Sequence, residues 1–179
     1  MAYHDSQSIS GTDVTQLTVN DNNSSLSICN THATDSITVD LFIRDDSTAS
    51  TSTITTTGVL AAESEAISSS SVTLTVDTVA ATADVFKNEK IYKSDATLFG
   101  TCTSVTNDTT IVFSGGLTAA ITNNDILFTP ARFYILNNVI IPNGTTLKLE
   151  GNEFVYDKTT YNLFISLKAA ASAADVIIR

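Results

Sequence analysis

Apolar and polar residues alternate along much of the chain. Ile37, Val39, Leu41 and Ile43 point one way, and Thr38, Asp40, Phe42 and Arg44 the other. That is a period of two over a full strand, with one mostly apolar face. Shorter runs of the same kind cover 14–19 and 26–30. The polar cluster between them, 20–25, is built of Asn, Asp and Ser and reads as a turn. The first 44 residues are therefore expected to form a polar arm over 1–13 and then three strands. Near the other end, 133–136 and 139–141 lead into Pro142, Asn143 and Gly144. Pro presets φ and Gly accepts φ > 0, so a tight turn is expected there. Further strands are expected at 147–149, 154–156, 161–167 and 176–178, short and turn-separated as in a sandwich. The Ala-rich run over 167–174 has helix propensity, but its length and its place between two strands favour a hairpin-like connection.

The middle differs. Residues 45–71 are rich in Ser, Thr and Ala, and 45–57 and 62–71 are expected as loop or weakly paired strand. From Val72 a second series begins, with strands expected at 72–76, 91–92, 98–105, 109–113 and 126–128. Turn residues stand at 93–96, 106–108, 115–116 and 123–125, and 80–89 has room for one helical turn. Five short strands suit a small closed barrel, which removes exposed edges. The strands at the two ends need each other to bury their apolar faces. The expected fold is thus all-β: an immunoglobulin-like antiparallel β-sandwich with an inserted small five-stranded β-barrel. Its divisions are an arm at 1–13, a discontinuous sandwich at 14–67 and 130–179, and the barrel at 68–129. Asp157 four residues before Tyr161, with Leu163 two after, has the form of the tyrosine corner of immunoglobulin-like domains. Leu163 stands where antibody domains carry a cysteine, and the chain has no Trp.

Composition narrows the function classes. Of 179 residues, 42% are apolar and 16% charged, so a core is affordable while charge falls below the usual quarter. Ser and Thr supply the polarity, and Thr favours strands. No run of about 18 apolar residues is present, so no membrane span is expected. The first residues carry no basic end and no apolar stretch, so no secretory signal is expected. A pI near 4.3 with nine basic residues argues against gripping nucleic acid, which needs phosphate-neutralising side chains. Cys29 and Cys102 alone make neither a disulfide framework nor a zinc site, and both are expected as buried thiols. Residues 1–65 hold nine acidic side chains against Arg44 alone, while 130–179 are near neutral. The acidic half is expected as a solvated surface.

Candidate chemistry is sparse. His4 falls in the expected arm. His32 follows a strand near Asp35, but no nucleophile elbow and no Cys–His spacing accompanies it, so no hydrolase is expected. Asp45 and Asp46, Asn20 to Asn23, and Asn123 to Asp125 offer hard oxygens, yet none has the spaced calcium loop with its terminal Glu. Asn and Asp suit turns for local reasons. Glycoside cleavage needs a cleft with two carboxylates, and the aromatic walls for one are scarce at 7% aromatic residues. Gly115 and Gly116 lack the Lys of a phosphate loop. Tyr92, Phe99 and Tyr134 could hold a carbohydrate, though each also suits a core or hairpin. No catalytic, cofactor-binding or metal residue is assigned.

The run from Phe133 to Gly151, then Tyr156 with Asp157 and the strand 161–167, resembles small structural proteins of tailed phages, marine ones especially. The ending 176–179 fits that likeness. Residues 91–95, 98–105 and 109–113 resemble a module found in the same proteins. The resemblance spans about 14–44 and 72–179. It implies a virion component without enzymology or cofactor, docked on phage head or neck/tail proteins as a homo-oligomer, a trimer or larger ring. Nucleic acid and membrane are not expected partners. The sandwich is expected to dock, with the arm ordering on binding, and the barrel to project. The alternative is a receptor- or glycan-binding module of a tail fibre, with a host-surface glycan as partner.

Overall fold

The computed structural model describes residues 5–20, 24–45, 49–79, 86–169 and 171–179. About 54% of the described residues are strand and the sheets are antiparallel. In chain order the strands are β1 (Asp5–Ser10), β2 (Thr15–Leu17), β3 (Ser25–Asn30), β4 (Ile37–Arg44), β5 (Ile54–Leu60), β6 (Val72–Thr75), β7 (Glu89–Tyr92), β8 (Leu98–Cys102), β9 (Ser104–Asn107), β10 (Thr110–Phe113), β11 (Ile126–Pro130), β12 (Phe133–Ile141), β13 (Thr146–Glu150), β14 (Asn162–Leu167) and β15 (Ala173–Ile178). A short 3₁₀ turn covers Gly151–Phe154. The chain divides into two compact units, Met1–Arg44 with Arg132–Arg179, and Asp45–Ala131.

The first unit is a β-sandwich of two four-stranded sheets, ordered β1-β15-β3-β13 and β12-β4-β14-β2. Alternation sets the inward faces: Leu26 and Ile28 of β3 with Val176 and Ile178 of β15 on one side, Val39 and Leu41 of β4 with Ile165 and Leu167 of β14 on the other. All eight are buried in one core, each contributing about 1.5–3 kcal/mol for an Ile, Leu or Val removed from water. The pairing is nested: β1 with β15, β2 with β14, β3 with β13, β4 with β12. Every consecutive step crosses between sheets except β4 to β12. That is a long hairpin wrapped into two sheets, the jelly-roll order.

Several expectations need correction. An immunoglobulin-like sandwich keeps A–B and F–G together in their sheets, whereas here the corresponding steps, β1 to β2 and β13 to β14, cross. Residues 5–10, expected in a free arm, form β1 and pair with β15 along their whole length, because Ile9 finds a place in the core. His4 lies outside the described residues. The connection after Leu167 is not a hairpin, since β14 and β15 belong to opposite sheets. The second face of β4 is buried as well as the first: Asp40 and Phe42 are 1% and 0% exposed. Phe42 stacks on Phe164 with ring centroids 5.7 Å apart. The Arg44 guanidinium lies 3.9 Å from the Phe164 ring centre and that of Arg132 4.5 Å from Phe42. Asp40 Oδ2 lies 2.6 Å from Lys168 Nζ, and Oδ1 accepts the Asn138 N–H at 2.7 Å.

The second unit contains two sheets, β6-β10-β9 and β5-β11-β7-β8. They are joined at two places. β8 runs through Thr103 into β9, so the expected strand 98–105 bends from one sheet to the other. At the far side Ala61 bridges Val76, the Asp77 N–H donates to the Leu60 carbonyl and the Ala62 N–H to that of Thr75. The core holds Leu74, Phe86, Ile91, Phe99, Ile111, Phe113 and Leu127. β5 falls where loop or weak strand was expected and pairs with β11; its Thr residues are β-branched and Val59 is buried. This pairing carries 45–67 into the second unit, which therefore begins at Asp45 rather than 68. Among the described residues the strands of this unit number seven, where five were expected. Gly116 has φ +82°, and a Cβ there would sit 2.0 Å from the Ser68 carbonyl oxygen. The expected helical turn lies largely outside the described residues.

Candidate functional site

Two adjoining clefts open on the sandwich unit. One, of about 400 Å³, is lined by Gln16, Thr18, Tyr161 and Asn162 among others. The other, of about 480 Å³, is lined by Asn152, Phe154, Val155 and Asp157 among others. Tyr156 and Lys158 line both. Both volumes fall in the range of small-molecule sites.

Local sequence explains the shape. The 3₁₀ turn ends with Phe154 buried, which leaves Val155 73% exposed. Tyr156 packs edge-on against Phe154, with centroids 5.9 Å apart. Burial pushes the Tyr156 phenol up to about 12. Asp157 then organises a turn: Oδ1 accepts the Thr159 N–H and hydroxyl, Oδ2 the Thr160 hydroxyl. These bonds hold its carboxyl down at about 2, since they favour the charged form. The Tyr161 N–H donates to the Asp157 carbonyl at 3.0 Å, which starts β14 and places Asn162 at the rim. Lys158 Nζ donates to the Asn20 carbonyl and lies 6.0 Å from the Phe154 ring centre.

The tyrosine-corner expectation meets the structure halfway. Asp157 and Tyr161 do form the turn into a strand, and the Tyr161 ring packs edge-on against Phe133. Its hydroxyl makes no hydrogen bond to the described residues, so the defining bond of that corner is missing.

The other candidates resolve into turns and core. His32 Nδ1 accepts the Asp35 N–H at 2.9 Å, so the imidazole serves the turn after β3. Asn30 completes that turn by donating to the Asp35 and Ile141 carbonyls. Asp125 Oδ2 accepts the Thr122 N–H, and the Asn123 amide donates to the Ala62 carbonyl. Asp46 and residues 21–23 lie outside the described residues. Among the described residues, no three His, Cys, Asp or Glu side chains gather as a metal site would require. Cys102 is buried and its thiol is pushed up to about 11 by desolvation; Cys29, expected buried, is half-buried. Tyr92 and Phe99, at 7% and 0% exposed, cannot present a ring to a sugar. Tyr134 can.

Gln16, Tyr156, Lys158 and Asn162 were not legible as a group, because Gln16 of β2 is far in sequence from the other three, which lie in the loop before β14 and at its first residue. One signal was available: Phe154, Tyr156 and Tyr161 concentrate aromatic rings within eight residues of an aromatic-poor chain. Comparison with protein-family models, curated proteins and solved structures gave no match in any of the three.

Proposed function

We propose that this chain is a non-enzymatic structural protein of a phage virion, present in many copies on the head or at the neck. It docks through the sandwich and displays the inserted unit. The observation that carries this reading is the nested jelly-roll order of the sandwich, an architecture used by viral capsid domains and also by lectins. The step from fold to role is by analogy, joined to the sequence resemblance. We read the inserted unit as a small closed barrel, supported by the bend at Thr103 and the Ala61–Val76 bridge that link its two sheets. Closure leaves no long free edge to pair with neighbouring copies.

Charge supports the polarity. Residues 45–131 hold ten acidic side chains against three lysines, while the remainder hold nine against six basic ones. An acidic outer unit keeps crowded copies soluble and apart. Among the described residues, four of the six exposed large apolar side chains, Phe133, Tyr134, Ile140 and Val155, lie on the sandwich unit, where a docking face needs them. Affinity then comes from symmetry and copy number rather than from one deep pocket.

The test is immunogold labelling of purified particles of the encoding phage with an antibody against this chain. Gold over the head supports decoration, and gold at the neck an adaptor. Gold confined to fibre tips overturns the docking reading in favour of a receptor-binding module. Intact particles bare of gold, with the epitope shown accessible, refute a virion role.

A further inference from the structure

We infer that the paired clefts beside β2 and β14 form a binding site for a neutral saccharide. The inference does not rest on the virion reading. It moves glycan recognition from Tyr92, Phe99 and Tyr134 to other residues.

The chemistry of the lining selects the ligand class. Gln16, Tyr156, Tyr161 and Asn162 line the clefts, two side-chain amides and two phenols. None of the four makes a side-chain hydrogen bond to the described residues, so their capacity is unspent among those residues. An amide both donates and accepts, and a phenol does the same. A sugar hydroxyl has the same dual character, so neighbouring hydroxyls on a ring can be met donor to acceptor and acceptor to donor. A carboxylate ligand would need donors only, and an ammonium acceptors only.

The charges present point the same way. Asp157 is committed to the hydroxyls of Thr159 and Thr160. Lys158 already donates to the Asn20 carbonyl. One lysine with a partner is a poor basis for an anion site, which draws on clustered Arg and Lys donors.

Shape supplies the second half. Sugars have apolar C–H faces as well as hydroxyl edges. The Tyr156 ring is fixed edge-on to buried Phe154 and stands where the polar and apolar clefts meet. Val155 extends the apolar side. A pyranose can lay its C–H face toward Tyr156 and Val155 while its hydroxyls reach Gln16 and Asn162. An aromatic body with a polar tip is suited to that task.

The experiment is an amide NMR titration of the full ¹⁵N-labelled chain. The probes are glucose, galactose, mannose, N-acetylglucosamine and lactose, with sialic acid and sulfate as the charged arm. The expected result is saturable shifts at residues 16–18 and 156–163 with at least one neutral sugar. Gln16→Ala and Tyr156→Phe, whose folds the same spectra verify, should each weaken that sugar about threefold to tenfold, the loss of one hydrogen bond. Silence with every neutral sugar overturns the proposal. So do shifts located elsewhere, or binding that both variants leave unchanged. Response to sialic acid or sulfate alone, erased by salt, also overturns it and assigns the lysine to an anion.

Discussion

Asp40 offers a quantitative test of how the sandwich is held. Its carboxylate is 1% exposed on a sheet face where alternation predicts a solvated polar residue. Two partners hold it, Lys168 Nζ at 2.6 Å and the Asn138 N–H at 2.7 Å. Changing Lys168 to Met keeps the aliphatic stem and removes the charge. The carboxylate is then left buried with one backbone donor. Breaking a fully buried pair this way costs about 3–5 kcal/mol. Lys168 is 25% exposed, so water can approach from its side, and we expect about 2–3 kcal/mol. That loss corresponds to a fall in Tm of roughly 10–20 °C for a unit near 100 residues. Asp40→Asn keeps the shape and an acceptor for Asn138, and Lys168 is 25% exposed so that water can reach it, so the change should cost only about 1 kcal/mol. The two units can melt separately, so stability is best read by NMR-detected urea unfolding from amides of Val39, Leu41 and Leu167. A Lys168→Met loss below about 0.5 kcal/mol, the range of ordinary surface changes, would refute the reasoning.

Three further outcomes are expected. Gly116→Ala combines a φ of +82° with a Cβ 2.0 Å from a carbonyl oxygen, so the second unit should lose more than about 3 kcal/mol, read from unfolding of Leu74 and Phe113 amides. The Asp157 carboxyl lies below its ordinary 3.8, at about 2. Its turn is therefore fully held above pH 4 and released as pH falls through 2, and the Thr159 and Thr160 amide shifts should titrate with that lower midpoint. Iodoacetamide at pH 8 should label Cys29 well before Cys102, whose thiol is buried and raised to about 11; equal rates by mass spectrometry would contradict the burial.

The strands were legible where one face is apolar and the other polar, as in β3, because period-two alternation is a direct image of a half-buried sheet. Pairing was not. The immunoglobulin-like order and the jelly-roll order use the same kinds of strand and differ only in which strands become neighbours, a long-range property that local pattern does not carry. β1 was missed because Ser6, Ser8 and Ser10 alternate with only one strongly apolar partner, Ile9. β5 stood open between loop and weakly paired strand because a run of Thr reads equally as either until Val59 is given a core to enter. The cleft was invisible for a related reason. Gln16 comes from β2, Asn162 from β14, and only the pairing of Leu17 with Leu163 brings them side by side.

The place of the insertion makes one last prediction. β4 and β12 are the innermost pair of the nested hairpin, with Ile43 opposite Phe133, and roughly 90 residues lie between them. In the folded second unit, Ile54 pairs with Pro130 and the Ala131 N–H donates to the Thr53 carbonyl. Its two ends are therefore adjacent, and the long connection acts on the sandwich as a short one of about ten residues. Unfolding the second unit restores the full loop. By the logarithmic scaling of closure entropy, lengthening a loop from about 10 to about 90 residues costs about 2 kcal/mol. Gly116→Ala, in conditions that unfold the second unit alone, should thus destabilise the sandwich by that amount without touching any of its residues. Replacing 45–131 by a short turn should restore the loss, because the short loop is then permanent. If the sandwich amides unfold at the same urea concentration whether the second unit is folded, unfolded or absent, closure entropy does not couple the two. If excision costs the sandwich more than unfolding does, the second unit stabilises it by means other than holding the two strand ends together.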